Sequence, residues 1–481
     1  LLETETAVAG GGVAGFFAAV NAAKSGCDTV LTERFGSIGG NMGAPGMMIA
    51  GDTRIRPLTE IFWDKRFYGN VNTVVEFLSR VKQRLRRSVL SYPELSQLFS
   101  RVASGMCADY GVKLLLSCGA GAPIMDGNRV MGYFVETSDG RKAVLSRCVI
   151  DTTGDASVAA AGGAPCIRRQ SVDAVTSPNM HRIYMDREYK YWNDGGIYYG
   201  INGIRYDEYI AWYTDENIFL SAEEEKWKED NLTIWMSRNW KPPIIPILRA
   251  GWESGEFTVL KTVRPKLHVH FDHWFERLGP ELIGGRAQVF GEYEPHLPRD
   301  RNLAENELRN HIADGIEFFR THIPGWKNAR LLFQAPFLGS RGGRHILGKK
   351  VLSPADMYAG RKDDHTVFVC GTEIHRGGHI TGFDVPYEIM LPREINGIIV
   401  AGRGASYLRR GHDPSIRARP NMMILGAAAG IAAGLSCGTG KLPGDIDTVQ
   451  LQKRLHEDGF YLGEPERLQE LGLLEREGSN S

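Results

Sequence analysis

Three glycines near the start of the chain could do chemistry together. Gly10-Gly11-Gly12-Val13-Ala14-Gly15 has the spacing GxGxxG. In such a motif Gly10 permits a tight turn, Gly12 lets a phosphate approach the backbone, and Gly15 lets helix and strand touch. The helix that opens at Val13 and Ala14 offers free N–H groups to that phosphate. Glu33 ends the next apolar run, where a carboxylate accepts hydrogen bonds from a ribose diol, and Arg34 follows it. This is the chemistry of dinucleotide binding. A purely structural Gly-rich turn is the competing reading, and the strand, helix and acid around the motif weigh against it.

Further glycine turns lie downstream. Gly39-Gly40 precedes Asn41, Thr153-Gly154-Asp155 closes one apolar run, and Ala401-Gly402-Arg403 closes another. Turns of this kind spread over so much chain imply one long ligand crossing a sheet, and FAD is the dinucleotide expected.

The elements needed to position these residues are legible. Thr6–Ala9 reads as a strand, Val13–Ala23 as a helix stopped at Lys24-Ser25-Gly26, and Asp28–Thr32 as a second strand. Together they make a βαβ unit. Val74–Leu90 and Pro93–Ala108 read as helices, and Lys113–Leu116, Val130–Thr137, Ala143–Ile150 and Gly397–Ala401 as strands. From Asp445 the pattern is that of a polar amphipathic helix.

Composition bounds the rest. The chain has 481 residues, enough for two or three domains. Lys plus Arg equals Asp plus Glu at 57 each, which removes the electrostatic case for a nucleic acid partner. Seven widely spaced cysteines without a CxxC disfavour a disulfide framework, a zinc ribbon and an iron–sulfur ligand run. A cytoplasmic setting is the default, although a removed targeting peptide stays open because the chain begins Leu1-Leu2-Glu3. The apolar stretch between Arg419 and Lys441 has the length of a membrane span. Its alanines, and Gly426, Gly430 and Gly434 on one helical face, suit a helix packed closely on a sheet or cofactor better than lipid.

Six of the nine tryptophans fall between Trp192 and Trp252, and tyrosines cluster between Tyr184 and Tyr213. The segment could supply stacking platforms for a planar substrate, or the core of its own domain or an oligomer interface such as a homodimer. The expected organisation is 1–165 and 336–445 for the two parts of a cofactor domain, 166–335 for an inserted domain, and 446–481 for a helical tail.

Four motifs in order carry a family resemblance: GGGVAG…ER…GSIGGNMG, VIDTTGDASVAAAGGAP, SRGGRHILGKKVL and LPREINGIIVAGRGAS…SIRARPNMMILGAAAGIAAGL. The chain resembles the FAD-dependent oxidoreductases, two-dinucleotide-motif flavoproteins related in fold to the flavoprotein subunits of fumarate reductase and succinate dehydrogenase. The resemblance covers roughly residues 5–165 and 335–460. It implies an α/β fold in which a Rossmann-like, glutathione-reductase-type FAD domain is split by an inserted α+β substrate (cap) domain.

By that resemblance Gly10, Gly12 and Gly15 hold the pyrophosphate, Glu33 the adenosine ribose, and Gly39, Gly40 and Asn41 the ribityl side. Gly154 and Asp155 line the adenosine half, and Gly402 and Arg403 meet the pyrophosphate or ribityl. Ser415, Arg417 and Asn421 lie by the isoalloxazine. Arg403 stands where many FAD proteins have Asp. The loop Ser37–Gly43 lacks the histidine of covalent flavin attachment, so noncovalent FAD is expected.

For the reacting end, Arg341, Arg344 and His345 form an Arg-x-x-Arg-His segment. Its cations could bind a substrate anion or stabilise charge on the flavin, or form a structural salt-bridge cluster. His375 and His379, in EIHRGGHITGFD, and His412, in RRGHDPS, are candidates for general acid or base, with ordinary loop histidines as the alternative. His268-x-His270-x-x-His273 invites a metal, but hydride chemistry needs none, and no metal is expected. The expected activity is hydride exchange between FAD and a small organic substrate under the cap, with oxygen, a quinone or a protein as electron partner. A flavin-dependent monooxygenase and a noncatalytic electron-transfer subunit are the alternatives.

Overall fold

The computed structural model describes residues 1–43, 70–85, 92–169, 192–232, 240–271, 276–372, 381–408, 416 and 418–475. The fold is mixed α/β, and the chain forms two compact units. Of the described residues, one contains those up to Ile167 and from Arg344 onward; the other contains those within Arg168–Gly343.

The first unit is built on β1 (Leu2–Ala9), β2 (Thr29–Glu33), β3 (Lys113–Leu116), β4 (Ala120–Asp126), β5 (Arg129–Thr137) and β6 (Gly140–Asp151), in the sheet order β3-β2-β1-β6-β5-β4. A short strand, Ile398–Val400, runs parallel beside β6. β1 lies parallel to both β2 and β6, so the chain leaves β1 in one direction first and in the other later. That reversal is a topological switch point, where open α/β sheets bind ligands at the carboxyl ends of their strands. β4 is the one strand of this sheet that sequence reading overlooked. Gly121 and Pro123 break its pattern, and its pairing with β5 shifts register twice, as suits an edge strand.

Register brings the strand ends level. Ala9 pairs with Thr32 on β2 and with Asp151 on β6, and Asp151 pairs with Val400. Hydrogen bonds lock the ends together: Gly10 N–H donates to the Thr32 carbonyl at 2.8 Å, Thr152 N–H to Ala9 at 2.9 Å, and Ala401 N–H to Asp151 at 3.0 Å. The turns after these strands therefore emerge along one edge.

Helix α1 (Val13–Lys24) is buried from Ala14 to Ala22. The long apolar helix Arg419–Thr439 is buried throughout Asn421–Cys437. Among the described residues it is the one helix long and apolar enough to cross a membrane. Its glycine face meets α1: a Cβ added at Gly430 would stand 2.9 Å from the Ala22 nitrogen, and one at Gly434 2.8 Å from Ser25 Oγ. Phe16 and Phe17 of α1 pack against Phe77 at ring-centroid distances of 5.3 and 5.6 Å, and Phe77 against Phe99 at 5.3 Å. The tail splits into two helices, Thr448–Glu457 and Pro465–Glu470. Gln452 Nε2 fastens it by donating to the carbonyls of Asp364 at 2.8 Å and Thr366 at 3.1 Å.

The second unit is an antiparallel sheet ordered Arg330–Gln334, Trp192–Asn202, Ile283–Glu292, Leu267–Phe271, Leu260–Arg264. Helix Pro298–His322 packs on one face, where Phe271 and Phe319 rings meet at 5.1 Å and Phe319 and Trp326 at 5.4 Å. Tyr199, Tyr209, Trp240 and Trp326 are buried. For these residues the aromatic richness makes this unit's own core.

Candidate cofactor and active site

The first glycine turn is shaped by close approach. Gly10 has φ +100, and a Cβ there would stand 2.8 Å from the Thr152 carbonyl oxygen. A Cβ at Gly15 would overlap the Gly10 carbonyl and lie 2.6 Å from Thr152 Oγ1. Gly12 differs: a Cβ there meets no protein atom within 4 Å. It is also the N-cap of α1, and no side chain caps the first N–H groups of that helix. Uncapped N–H groups facing open space suit an anion such as a pyrophosphate.

The second glycine loop lies against the first. Gly39 N–H donates to the Gly11 carbonyl at 2.7 Å, and a Cβ on Gly40 would stand 2.9 Å from Gly12 Cα. Ser100 Oγ holds the loop from the far side by donating to the Ile38 carbonyl at 2.6 Å. Asn41 Oδ1 is buried here without a hydrogen-bond partner. A buried acceptor without a donor is costly, so a hydroxyl-rich ligand fits this place.

Glu33 is buried at the end of β2. Its carboxylate accepts from Gly11 N–H at 2.7 Å and Phe35 N–H at 3.0 Å. Burial pushes its carboxyl up, against the pull of those two donors. Arg34 is exposed, with its guanidinium 4.8 Å from the Phe35 ring centre.

The turn after β6 is organised by Asp151, which the site reading of the sequence left out. Its fully buried carboxylate accepts from Thr153 N–H at 3.0 Å, Thr153 Oγ1 at 2.7 Å, Val158 N–H at 2.9 Å and Ala159 N–H at 3.0 Å. Burial raises this carboxyl, and the four donors oppose the rise. The clue was local: an Asp two residues before a Thr, at a strand end, is an Asx turn. Ala156 closes the turn with φ +49, a left-handed conformation that costs a non-glycine residue about 1 kcal/mol or more.

Asp155 gathers two arginines. Arg403 Nη2 lies 3.3 Å from its carboxylate, and Arg344 Nε donates to its backbone carbonyl at 2.9 Å. Gly402, at φ +80, lies beside α1: a Cβ on it would stand 3.1 Å from Ala14 Cβ. Asn421 is buried in the first turn of helix Arg419–Thr439.

The residues expected at the reacting end divide between the units. Arg341 belongs to the second unit, whereas Arg344 and His345 belong to the first. Arg341 Nη1 donates to fully buried Asp194 at 2.8 Å, and its backbone N–H to the Asp194 carbonyl at 2.9 Å. His345 is fully buried, edge-on to Tyr407 with ring centres 6.3 Å apart. His375, His379, His412, Ser415 and Arg417 lie outside the described residues, as does His273.

His268 and His270 share one sheet face with Phe290, at ring distances of 5.2 and 5.5 Å, and both are buried. Burial lowers the His268 pKa to about 4, so its imidazole is neutral near pH 7. Elsewhere, Asp363, His365 and Glu388 bring ligand atoms within 4.8 Å of one another. Lys350 Nζ stands 2.9 Å from Asp363 and 3.4 Å from Glu388, so an ammonium already supplies countercharge.

Comparison with solved structures finds a geranylgeranyl bacteriochlorophyll reductase-like protein from Thermoplasma acidophilum, at 13% identity and TM-score 0.41, covering 98% of this chain and 96% of that one. A flavin-dependent brominase is 12% identical, with TM-score 0.41 and coverages of 95% and 83%. A myxobacterial chondrochloren halogenase is 12% identical, with TM-score 0.40 and coverages of 95% and 78%. Likenesses this remote carry no chemistry over to this chain. No curated protein matches it. The model of the FAD dependent oxidoreductase family, by contrast, matches residues 5–455. With a match of that extent, the chain belongs to the FAD dependent oxidoreductase family and is an enzyme that uses FAD.

Proposed function

We propose that this enzyme exchanges a hydride with a small organic substrate. In this reading the first unit is a Rossmann-like FAD domain, interrupted in sequence by the second unit, which serves as the substrate (cap) domain. The observation that carries it is the level set of strand ends at Ala9, Thr32, Asp151 and Val400. Four glycine-bearing segments along one edge suit a long dinucleotide better than a compact nucleotide.

Bound FAD supplies two-electron hydride chemistry at its N5. The chain's part is to hold and orient. The uncapped start of α1 takes the pyrophosphate. Glu33 retains lone pairs for a ribose diol beyond those given to Gly11 and Phe35, since a carboxylate has about four acceptor sites. Asn41 Oδ1 accepts from a ribityl hydroxyl. The N-terminus of helix Arg419–Thr439, at Asn421, favours negative charge nearby. With no histidine in the Ser37–Gly43 loop, the cofactor is held noncovalently.

The second unit offers a sheet face on which Asp194, His268, His270 and Gln288 are all buried. A polar buried face is expensive to build and suits recognition of a polar substrate. His375 and His379 are our candidates for taking the proton that leaves as the hydride departs. All seven cysteines are free thiols, which favours a reducing compartment.

The test is a visible spectrum of the purified protein, followed by acid precipitation and by anaerobic mixing with a panel of alcohols, amines and acids. Oxidised-flavin bands, release of flavin to the supernatant and bleaching by one compound class are expected. Flavin retained in the pellet overturns the noncovalent reading. Stoichiometric oxygen insertion into the product points to a monooxygenase, and reduction only by a partner protein points to an electron-transfer subunit.

A further inference from the structure

We propose that Arg403 and Arg344 form a two-armed cationic clamp on the cofactor's pyrophosphate, with Asp155 as the fixed point that orients both. The inference rests on reading the first unit as the FAD domain. Arg403 follows Gly402, whose backbone lies against Ala14 in the first turn of α1. Arg403 therefore leaves the backbone one residue from a contact with the first turn of that helix. The same guanidinium lies over Gly154, where an added Cβ would stand 3.0 Å from Nη2, and Gly154 has φ +89. The positive φ favours glycine there, and its missing side chain lets that arm lie close to the backbone.

Arg344 comes from a different segment and binds a different atom of Asp155. Its Nε is tied to the Asp155 carbonyl at 2.9 Å, while among the described residues no carboxylate pairs with its terminal nitrogens. A guanidinium held by one nitrogen and presenting the other two is a preset fork for phosphate oxygens. Aspartate at position 403 would repel that charge. Arginine there, steadied by Asp155, attracts it. On this reading Arg344 is a cofactor-binding residue, not a catalytic one.

The apo-chain, freed of flavin with chaotropic salt, is titrated with FAD and separately with riboflavin, which has no pyrophosphate, at low and at high sodium chloride. Arg403→Gln and Arg344→Gln should each weaken FAD binding about tenfold and reduce its salt dependence. Riboflavin affinity should stay within about twofold of the wild type. Because Arg403→Gln takes an ion-pair partner from a buried carboxylate, the double variant Arg403→Gln/Asp155→Asn is measured too. It removes both charges and should still bind FAD about tenfold more weakly. FAD affinity restored in the double variant, or riboflavin weakened as much as FAD, makes the pair structural and overturns the clamp. Unchanged FAD affinity in Arg344→Gln overturns the second arm. Wild-type apo-chain that takes up no FAD at all refutes the underlying reading instead.

Discussion

Gly426 of helix Arg419–Thr439 lies against the backbone of Ala14 in α1, so closely that a Cβ at position 426 would stand 2.8 Å from Ala14 Cα. The contact joins residues more than four hundred positions apart and sets where the first turn of α1 lies. Gly426→Ala should therefore force the two helices apart. Overpacking of this kind costs about 1–3 kcal/mol. Urea unfolding should show that loss, together with weaker FAD binding. A variant of wild-type stability would mean the helices can separate freely.

Gly12 and Gly15 should respond oppositely to the same substitution. Gly12→Ala meets open space and has an ordinary backbone, with φ −70, so stability should hold. Its methyl group nevertheless enters the space over the helix start, and FAD affinity should fall about tenfold or more. Gly15→Ala overlaps the Gly10 carbonyl and should unfold the turn itself, lowering the melting temperature of the apo-chain. Comparing apo-chain melting with FAD titration separates the two.

Arg341 is predicted to be structural. Removing it takes an ion-pair partner from the fully buried Asp194, a loss of up to about 3–5 kcal/mol. Arg341→Met should lower the urea midpoint of the second unit, and Arg341→Met/Asp194→Asn should recover most of the loss. If Arg341→Met leaves stability alone but raises the substrate KM, Arg341 binds substrate after all.

The second unit should weaken in mild acid. His311 is buried, stacked on Phe257 at 5.2 Å, and burial lowers its pKa to about 4 from 6.5. Between those values the unfolded chain binds a proton that the folded chain refuses. Stability is therefore full above pH 6.5 and falls as pH drops toward 4, by on the order of 3 kcal/mol for one such histidine. Tryptophan fluorescence during urea unfolding at pH 7.5 and at about pH 5 measures it. His268 in the same unit is lowered to about 4 in the same way, so His311→Gln should remove only part of the difference and His311→Gln/His268→Gln more of it; an equally steep fall in the double variant assigns the effect elsewhere.

What the sequence determined by itself is local. The turn at Gly10–Gly15, the βαβ unit ending at Glu33, and the glycine stripe at Gly426, Gly430 and Gly434 were all legible, because steric tolerance and helical spacing act over a few residues. The family motifs extended that to FAD. Partners were not legible. The stripe showed a helix face needing close approach, yet only the tertiary structure showed that α1 meets it. Asp194 carries no local sign of pairing with Arg341, and nothing near Asp155 foretold two arginines from distant segments. Periodicity records which face of an element is buried or small, but register and long-range packing decide what it is buried against. The level strand ends of Ala9, Asp151 and Val400 are the clearest case: each strand was visible in the chain, while hydrogen bonding between segments far apart in sequence decided that their turns share one edge.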